Sequence, residues 1–249
     1  RCCTRIPQVK MNINFINKTV LVTGGSRGIG KQIVEDMVQL GANVITTSTT
    51  FQQSDHPNVK YCCVDFRDEE STKEFLEYIS GIDIDVCVNN AGINKIDSIL
   101  DVKISDWNDI LEVNLSAPFK VIQAVSKRMI TRRYGRIINV ASIWGNISIA
   151  KRACYSSTKF GLRGLTLAVA AELAEHNVLA NTISPGFTLT DLTRKVLGQS
   201  KIYEMSKKIP MKRLAHPSEI SKVVLFLASD MNSYISGQDI VVDGGFINV

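Results

Sequence analysis

At 249 residues, 45% hydrophobic and 21% charged, the chain suits a globular protein with a sizeable core, built as one large α/β domain or two small ones. Its formal charge of +5 is mild and no dense Lys/Arg tract occurs, which argues against a nucleic-acid surface and leaves a modest preference for anionic ligands. No apolar run reaches the length of a membrane span, no signal peptide is visible, and neither the six cysteines nor the three histidines stand at metal-ligand spacing, so a cytoplasmic protein with reduced thiols and no metal is expected.

Residues 1–10 fit no element, and Met11 followed by a short polar lead looks like a natural start. The expectation is a disordered or non-native leader over 1–10 and a single domain over 11–249. Thr19 to Val22 is a short β-branched run that reads as a buried strand. A glycine-rich turn follows, with Gly24, Gly28 and Gly30 spaced by Ser26, Arg27 and Ile29. Ile29, Ile33, Met37 and Leu40 then recur at helical spacing, Gly41 stops the helix, and Asn43 to Thr47 is a second strand. Strand, glycine turn, helix, strand is the first half of a dinucleotide-binding unit. The glycines let the backbone approach a pyrophosphate, and the helix supplies free N–H groups and the positive end of its dipole.

The residues after the second strand bear on which dinucleotide. A site for NAD usually carries a carboxylate there for the ribose 2′-hydroxyl. Here the strand ends Thr46-Thr47-Ser48-Thr49-Thr50, with no acid. The hydroxyls of Thr47 and Ser48 can donate to a 2′-phosphate, and Arg27 can add a charge-assisted partner. NADP(H) is therefore expected over NAD(H), although Arg27 also reads as an ordinary solvated turn residue.

The alternation continues through strands at Val59 to Val64, Val86 to Val88, Arg136 to Val140, Ala180 to Ile183 and Asp239 to Val242. Between them lie helices at Glu69 to Ser80, Ser105 to Thr131 with Pro118 to break or kink it, Cys154 to about Glu175, and Ser218 to Ala228. The stretch from Thr50 to Val59 is too short to hold a helix. Strands alternating with helices imply a parallel sheet covered on both faces, and no linker, repeat or low-complexity segment divides the chain.

Ser142 ends one strand, and Tyr155 and Lys159 stand one helical turn apart on one face. An ammonium roughly 4 Å from the phenol oxygen, at an effective dielectric near 20, attracts a phenolate by about 4 kcal/mol, a ceiling of about three pKa units. Such a shift would bring the phenol toward the range of a useful general acid, and the Ser142 hydroxyl could hold a carbonyl or alcohol oxygen beside it. Tyr-x-x-x-Lys is also common by chance on an ordinary helix.

Taken together, Thr23-Gly24-x-x-x-Gly28-x-Gly30, Asn89-Asn90-Ala91-Gly92, Asn114, Ser142, Tyr155-x-x-x-Lys159 and Pro185-Gly186 resemble a classical short-chain dehydrogenase/reductase over essentially all of Asn17 to Val249. Tyr134-Gly135-Arg136-Ile137-Ile138-Asn139 and Val242-Asp243-Gly244-Gly245 are most like the 3-oxoacyl-[acyl-carrier-protein] reductase group of that family. The resemblance implies a Rossmann-type three-layer αβα sandwich with a mostly parallel, doubly wound sheet of about seven strands. It implies Tyr155 as general acid, Lys159 lowering the phenol pKa and binding the nicotinamide ribose, and Ser142 positioning the substrate oxygen. Asn114 would kink its helix and hold a water. Asn89, Asn90, Ala91 and Gly92 would stabilise the central strand and pass close to the cofactor, Pro185, Gly186 and Thr188 would border the nicotinamide, and Asp65 would bond the adenine amine or be a surface carboxylate.

Substrate would then meet three segments: Ile93 to Val102, Ile143 to Arg152, and Phe187 to Arg213, the last irregular enough to serve as a lid. Trp144, Ile147 and Ile149 could form an apolar wall, and Lys151 and Arg152 could meet an anionic group or simply be solvated. Two features depart from the acyl-carrier group: the short Thr50 to Val59 segment, and a carrier-docking pair in which Arg132 and Arg133 supply one place while His176-Asn177 fills the other. A carrier-linked or small carbonyl substrate is expected. A sugar, polyol or hydroxy-acid dehydrogenase and a non-catalytic dinucleotide-binding scaffold are the alternatives. Gly161, Gly164, Ala168, Ala170 and Ala171 permit close helix contacts, and the resemblance implies a homotetramer.

Overall fold

A computed structural model describes residues 13–249; the expected leader at 1–10 lies outside the described residues. Seven strands form one sheet: β1 (Thr19–Val22), β2 (Asn43–Ser48), β3 (Val59–Cys63), β4 (Val86–Asn89), β5 (Gly135–Val140), β6 (Val178–Pro185) and β7 (Asp239–Val242). Their order is β3-β2-β1-β4-β5-β6-β7 and every pair is parallel. The doubly wound expectation holds, and the sheet is wholly rather than mostly parallel.

A parallel sheet buries both faces, so its strands are apolar at successive positions. Val20, Val22, Val86, Val88, Ile138 and Val140 pack in one cluster with α1 (Gly28–Gln39) and α7 (Pro217–Ala228). Leu21, Cys87, Ile137 and Ala180 point the other way, toward α2 (Glu69–Ser80), α4 (Ala117–Arg132) and α5 (Ala153–Leu173). These are the three layers. The chain reverses direction across the sheet between β1 and β4, which opens a crevice at their carboxyl ends.

Two expectations need correction. The long helix expected over Ser105 to Thr131 is two helices, α3 (Ile104–Leu111) and α4, joined by a π-helical turn at Glu112–Ser116. Pro118 does not break it: the proline sits in the first turn of α4, and the interruption is centred on Asn114. The segment Phe187 to Arg213 is not irregular. It holds α6 (Asp191–Lys208), started by Thr190, whose hydroxyl accepts the Thr193 N–H at 3.2 Å, and broken only at Gly198 with φ +69°. A helix whose sequence is mostly polar gives little periodicity to read. As expected, the chain from Thr49 to Asn58 passes from β2 to β3 without a helix. Among the described residues no helix is long and apolar enough to cross a membrane.

Candidate active site

The glycine turn is held shut by the ends of its neighbouring strands. The Thr23 hydroxyl accepts the N–H groups of Asn90 and Ala91, both at 3.0 Å. The Asn90 amide donates to the carbonyls of Thr23 at 3.0 Å and Gly24 at 2.9 Å. Thr47 Oγ1 accepts the Gly24 N–H at 2.9 Å. A Cβ on Gly30 would lie 2.2 Å from the Gly24 carbonyl oxygen, so only glycine lets the turn close on the start of α1.

The crevice above this turn suits an anion. Arg27 is the extended N-cap of α1; no side chain caps that helix and no acidic residue stands in its first turn. Its first N–H groups therefore stay available, with the helix dipole behind them. Thr190 approaches from the far wall, its methyl 3.4 Å from where a Cβ on Gly28 would sit. The N-termini of α1 and α6 thus face one crevice, and these residues fit a dinucleotide pyrophosphate.

Other candidate cofactor residues divide. Arg27 is exposed and Ser26 half-buried at the turn. Ala91 and Gly92 line the crevice, with Asn114 Oδ1 3.4 Å and Lys159 Nζ 3.7 Å from where a Cβ on Gly92 would sit. Pro185, Gly186 and Thr188 lie at the carboxyl end of β6, with Thr188 bridged to Ala215. Asn89 instead braces the sheet, its amide donating to Asn139 Oδ1 at 2.8 Å. Ser48 turns its hydroxyl to the Thr50 carbonyl. Asp65 pairs with Arg67, which donates through Nε at 3.0 Å and Nη2 at 2.6 Å and holds the carboxylate below its usual range.

At the carboxyl end of β5 the reactive groups gather. Ser142 is buried, and its hydroxyl accepts the Trp144 N–H at 3.2 Å. Lys159 is buried and donates to the Val140 carbonyl at 2.8 Å, with Nζ 5.6 Å from the centre of the Tyr155 ring. Asn114 clamps the loop after β4: its Oδ1 accepts the Ile93 N–H and its Nδ2 donates to the Ile93 carbonyl, both at 2.9 Å. Nδ2 also lies 3.3 Å from Thr158 Oγ1, which ties the π turn to α5 one residue before Lys159.

The electrostatics differ from the expectation at Tyr155. Burial pushes its phenol above the ordinary value, and a hydrogen bond with Ser142 and the charge of Arg152 pull only part of the way back. Lys159 is not among the groups lowering it. The ammonium bonds a carbonyl instead, and burial drops its own pKa to about 8. Next to this pair lies an aromatic wall. Trp144 meets Phe187 at 6.2 Å and Phe246 at 6.4 Å between ring centres, and Phe187 meets Phe246 at 5.1 Å, all edge to face. Trp144 belongs to the wall as expected, while Ile149 stands 54% exposed. Sequence reasoning missed Thr190 and Phe246. Phe246 reaches the site only through tertiary folding, and nothing local marks it.

This fold and this crevice are those of a dinucleotide-binding oxidoreductase. A family model described as enoyl-(acyl carrier protein) reductase matches residues 24–247. The 3-oxoacyl-[acyl-carrier-protein] reductase FabG of Aquifex aeolicus is 39% identical over 247 residues, covering 94% of this chain and 99% of that protein. The solved structure of ElxO with NADP bound is 30% identical with a TM-score of 0.86, covering 93% of this chain and 99% of the other. A gluconate 5-dehydrogenase from Burkholderia cenocepacia, in complex with NADP and tartrate, is 26% identical with a TM-score of 0.86, covering 95% and 98%. The chain belongs to the short-chain dehydrogenase/reductase family.

Proposed function

We propose that this protein is an NADP(H)-dependent carbonyl reductase that converts a ketone to a secondary alcohol, with 3-oxoacyl thioesters as the favoured substrate class. The observation that carries the reading is the meeting of Ser142, Tyr155 and Lys159 at the crevice the glycine turn opens onto. The names of the Aquifex relative and of the NADP-bound neighbours support it. Gly24, Ser26, Arg27, Gly28, Ile29 and Gly30 would hold the cofactor phosphates. The absence of an acid at the end of β2 favours NADP(H), and the exposed Arg27 guanidinium would meet a 2′-phosphate. When bound, the cofactor supplies hydride.

The chain's own residues do the rest. The Ser142 hydroxyl holds the ketone oxygen beside the phenol. Tyr155, kept protonated by burial, gives its proton to that oxygen as negative charge develops on it. The Lys159 ammonium, held by the Val140 carbonyl, would meet the nicotinamide ribose, while Arg152 and Ser142 favour the phenolate left behind; Asn114 positions Lys159 through Thr158. The aromatic wall excludes water. The natural unit is a homotetramer in this reading.

A second reading keeps this chemistry and changes the substrate to a sugar or hydroxy acid. It is favoured by Arg132, which with Arg133 would supply one place of a carrier-docking pair, being held by Asp85 at 2.6 Å and by Asp83 at 3.5 Å. The gluconate dehydrogenase likeness points the same way. The deciding assay is NADPH oxidation with an acetoacetyl thioester, native against Tyr155→Phe. Turnover lost by about 10²- to 10⁴-fold with NADPH binding kept is the expected result. A native protein that binds NADPH but leaves the thioester and a ketose panel unreduced would be a scaffold, against this proposal.

A further inference from the structure

Ser142 begins a single turn of 3-10 helix, Ile143–Gly145, that closes on its own backbone. The Ser142 carbonyl accepts the Gly145 N–H at 2.8 Å, and the Ile143 carbonyl accepts the Asn146 N–H at 2.9 Å. The Ser142 hydroxyl accepts the Trp144 N–H inside the turn and meets the Tyr155 phenol; among the described residues no third group bonds it. Where that hydroxyl stands is therefore decided by what holds the turn.

The far end of the turn is held by side chains from two other elements. Arg163, one helical turn beyond Lys159 on α5, donates through Nη1 to the Gly145 carbonyl at 2.6 Å. Asp239, the first residue of β7, accepts the Asn146 side-chain amide through Oδ2 at 3.0 Å and the Ser184 hydroxyl through Oδ1 at 2.7 Å. Arg163 Nε is buried without a hydrogen bond and stands 3.3 Å from the same Oδ2, so the two groups meet as charges. The Asp239 side chain is 10% exposed, where solvent screens that attraction little. The turn is also pressed against α5, since a Cβ on Gly145 would lie 2.9 Å from the Lys159 carbonyl oxygen. The sheet does not need this arrangement to close, because β6 and β7 pair through their backbones from Thr182 to Pro185. Withdrawing a carboxylate and a guanidinium from water is costly, and here it fixes one three-residue turn.

We propose that Asp239 and Arg163 are positioning residues: with Asn146 they clamp the Ile143–Gly145 turn onto α5 and so seat the Ser142 hydroxyl beside the Tyr155 phenol, where it can hold a substrate oxygen. The inference rests on the reductase reading above and adds the residues that set the geometry of its Ser142–Tyr155 pair. Neither side chain bonds Ser142, Tyr155 or Lys159 directly; each acts through the turn.

The test uses the acetoacetyl thioester of N-acetylcysteamine with NADPH. Asp239→Ala should lower kcat about 10- to 100-fold, the scale of a displaced catalytic contact, with both KM values within about 3-fold of native. Arg163→Met should act alike, and Arg163→Lys, which keeps the charge, should recover part of the loss. The double variant should lose little more than either single one, because the two residues hold one turn. In alcohol oxidation the rising limb of the pH profile should move to higher pH in Asp239→Ala, as the hydroxyl that favours the phenolate withdraws. A kcat within about 3-fold of native, or fully additive losses in the double variant, overturns the proposal. NADPH binding checks that each variant is folded; if Asp239→Ala fails that check, Asp239→Asn, which keeps an acceptor for Ser184, takes its place. A second readout needs no turnover. Trp107→Phe leaves Trp144, 7% exposed, as the only indole. In that background Asp239→Ala should shift the emission to the red and increase its quenching by acrylamide; an unchanged emission overturns the proposal. A native protein that reduces no ketone, while its Asp239→Ala variant shows the shift, defeats the reductase reading and leaves the clamp standing.

Discussion

The buried ammonium of Lys159 costs the fold stability at neutral pH and has a definite pH signature. Its pKa is about 8 in the folded protein, against 10.5 ordinarily. Below pH 8 both states carry the proton and the cost is present in full. Between pH 8 and 10.5 the unfolded chain binds a proton the folded chain does not, so this group's contribution rises with pH, by about 3 kcal/mol when complete. Cys87, whose thiol is pushed up to about 12 by burial, opposes this at higher pH, so the native curve alone mixes several groups. The clean quantity is native minus Lys159→Met in urea unfolding, which should move in favour of the native protein from pH 8 to 10.5; a difference independent of pH would refute the buried-charge assignment. Tyr155 adds a kinetic counterpart. A phenol held above its ordinary value keeps its proton through neutrality, as a reductase needs. The reductive kcat/KM should be flat from pH 6 to 8, and alcohol oxidation, which needs the phenolate, should climb with pH across the same range. The Tyr155–Lys159 pair was legible in the sequence because helical spacing alone puts the two on one face. Its electrostatics were not, because the Val140 carbonyl that takes the Lys159 proton donor comes from a different element.

Among the elements, the π turn at Glu112–Ser116 and the glycine turn before α1 are the two irregularities that carry the site. Asn114→Ala removes both hydrogen bonds to Ile93 and leaves that residue's half-buried N–H and C=O without these partners. The expected cost is about 2–4 kcal/mol of stability, together with an activity loss of 10-fold or more as Thr158 and Lys159 lose their tie to the loop after β4. An active variant of native stability would mean that the π turn holds itself. Gly30→Ala is harsher, since the new methyl would overlap the Gly24 carbonyl and the Asn90 amide, 2.2 and 2.4 Å away. Loss of NADPH binding, read by fluorescence, should exceed any loss of stability, because the clash opens the phosphate turn itself. Glycine turns of this kind are visible in a sequence because their residues stand together. The π turn was not separable from its flanking helices, since Ser105 to Thr131 reads as helix throughout and Pro118 drew the break four residues too late. The α6 helix was hidden for the opposite reason, a polar face with no stripe to read.

On the whole molecule, the two helices beside the site keep apolar side chains outside: Phe160 and Leu167, seven residues apart on one side of α5, are 44% and 58% exposed, and Phe119 on α4 is 49% exposed. The small residues of α5 divide between two uses. Gly161 is needed within the chain, where a Cβ would fall 2.9 Å from Leu115. Gly164 is not: nothing lies within 4 Å of the Cβ it lacks. Its smallness therefore serves no contact inside the described chain and is what a second copy packing helix against helix would require. Gly164→Phe separates the two roles. In an isolated chain the substitution meets open space and should raise helix stability by a few tenths to about 1 kcal/mol. In an assembly through this face it forces two helices apart, so light scattering should show a smaller particle while each chain still binds NADPH. Retention of the native mass would move the interface off α5, and a fall in mass accompanied by unfolding would show that Gly164 had been packed inside the chain after all.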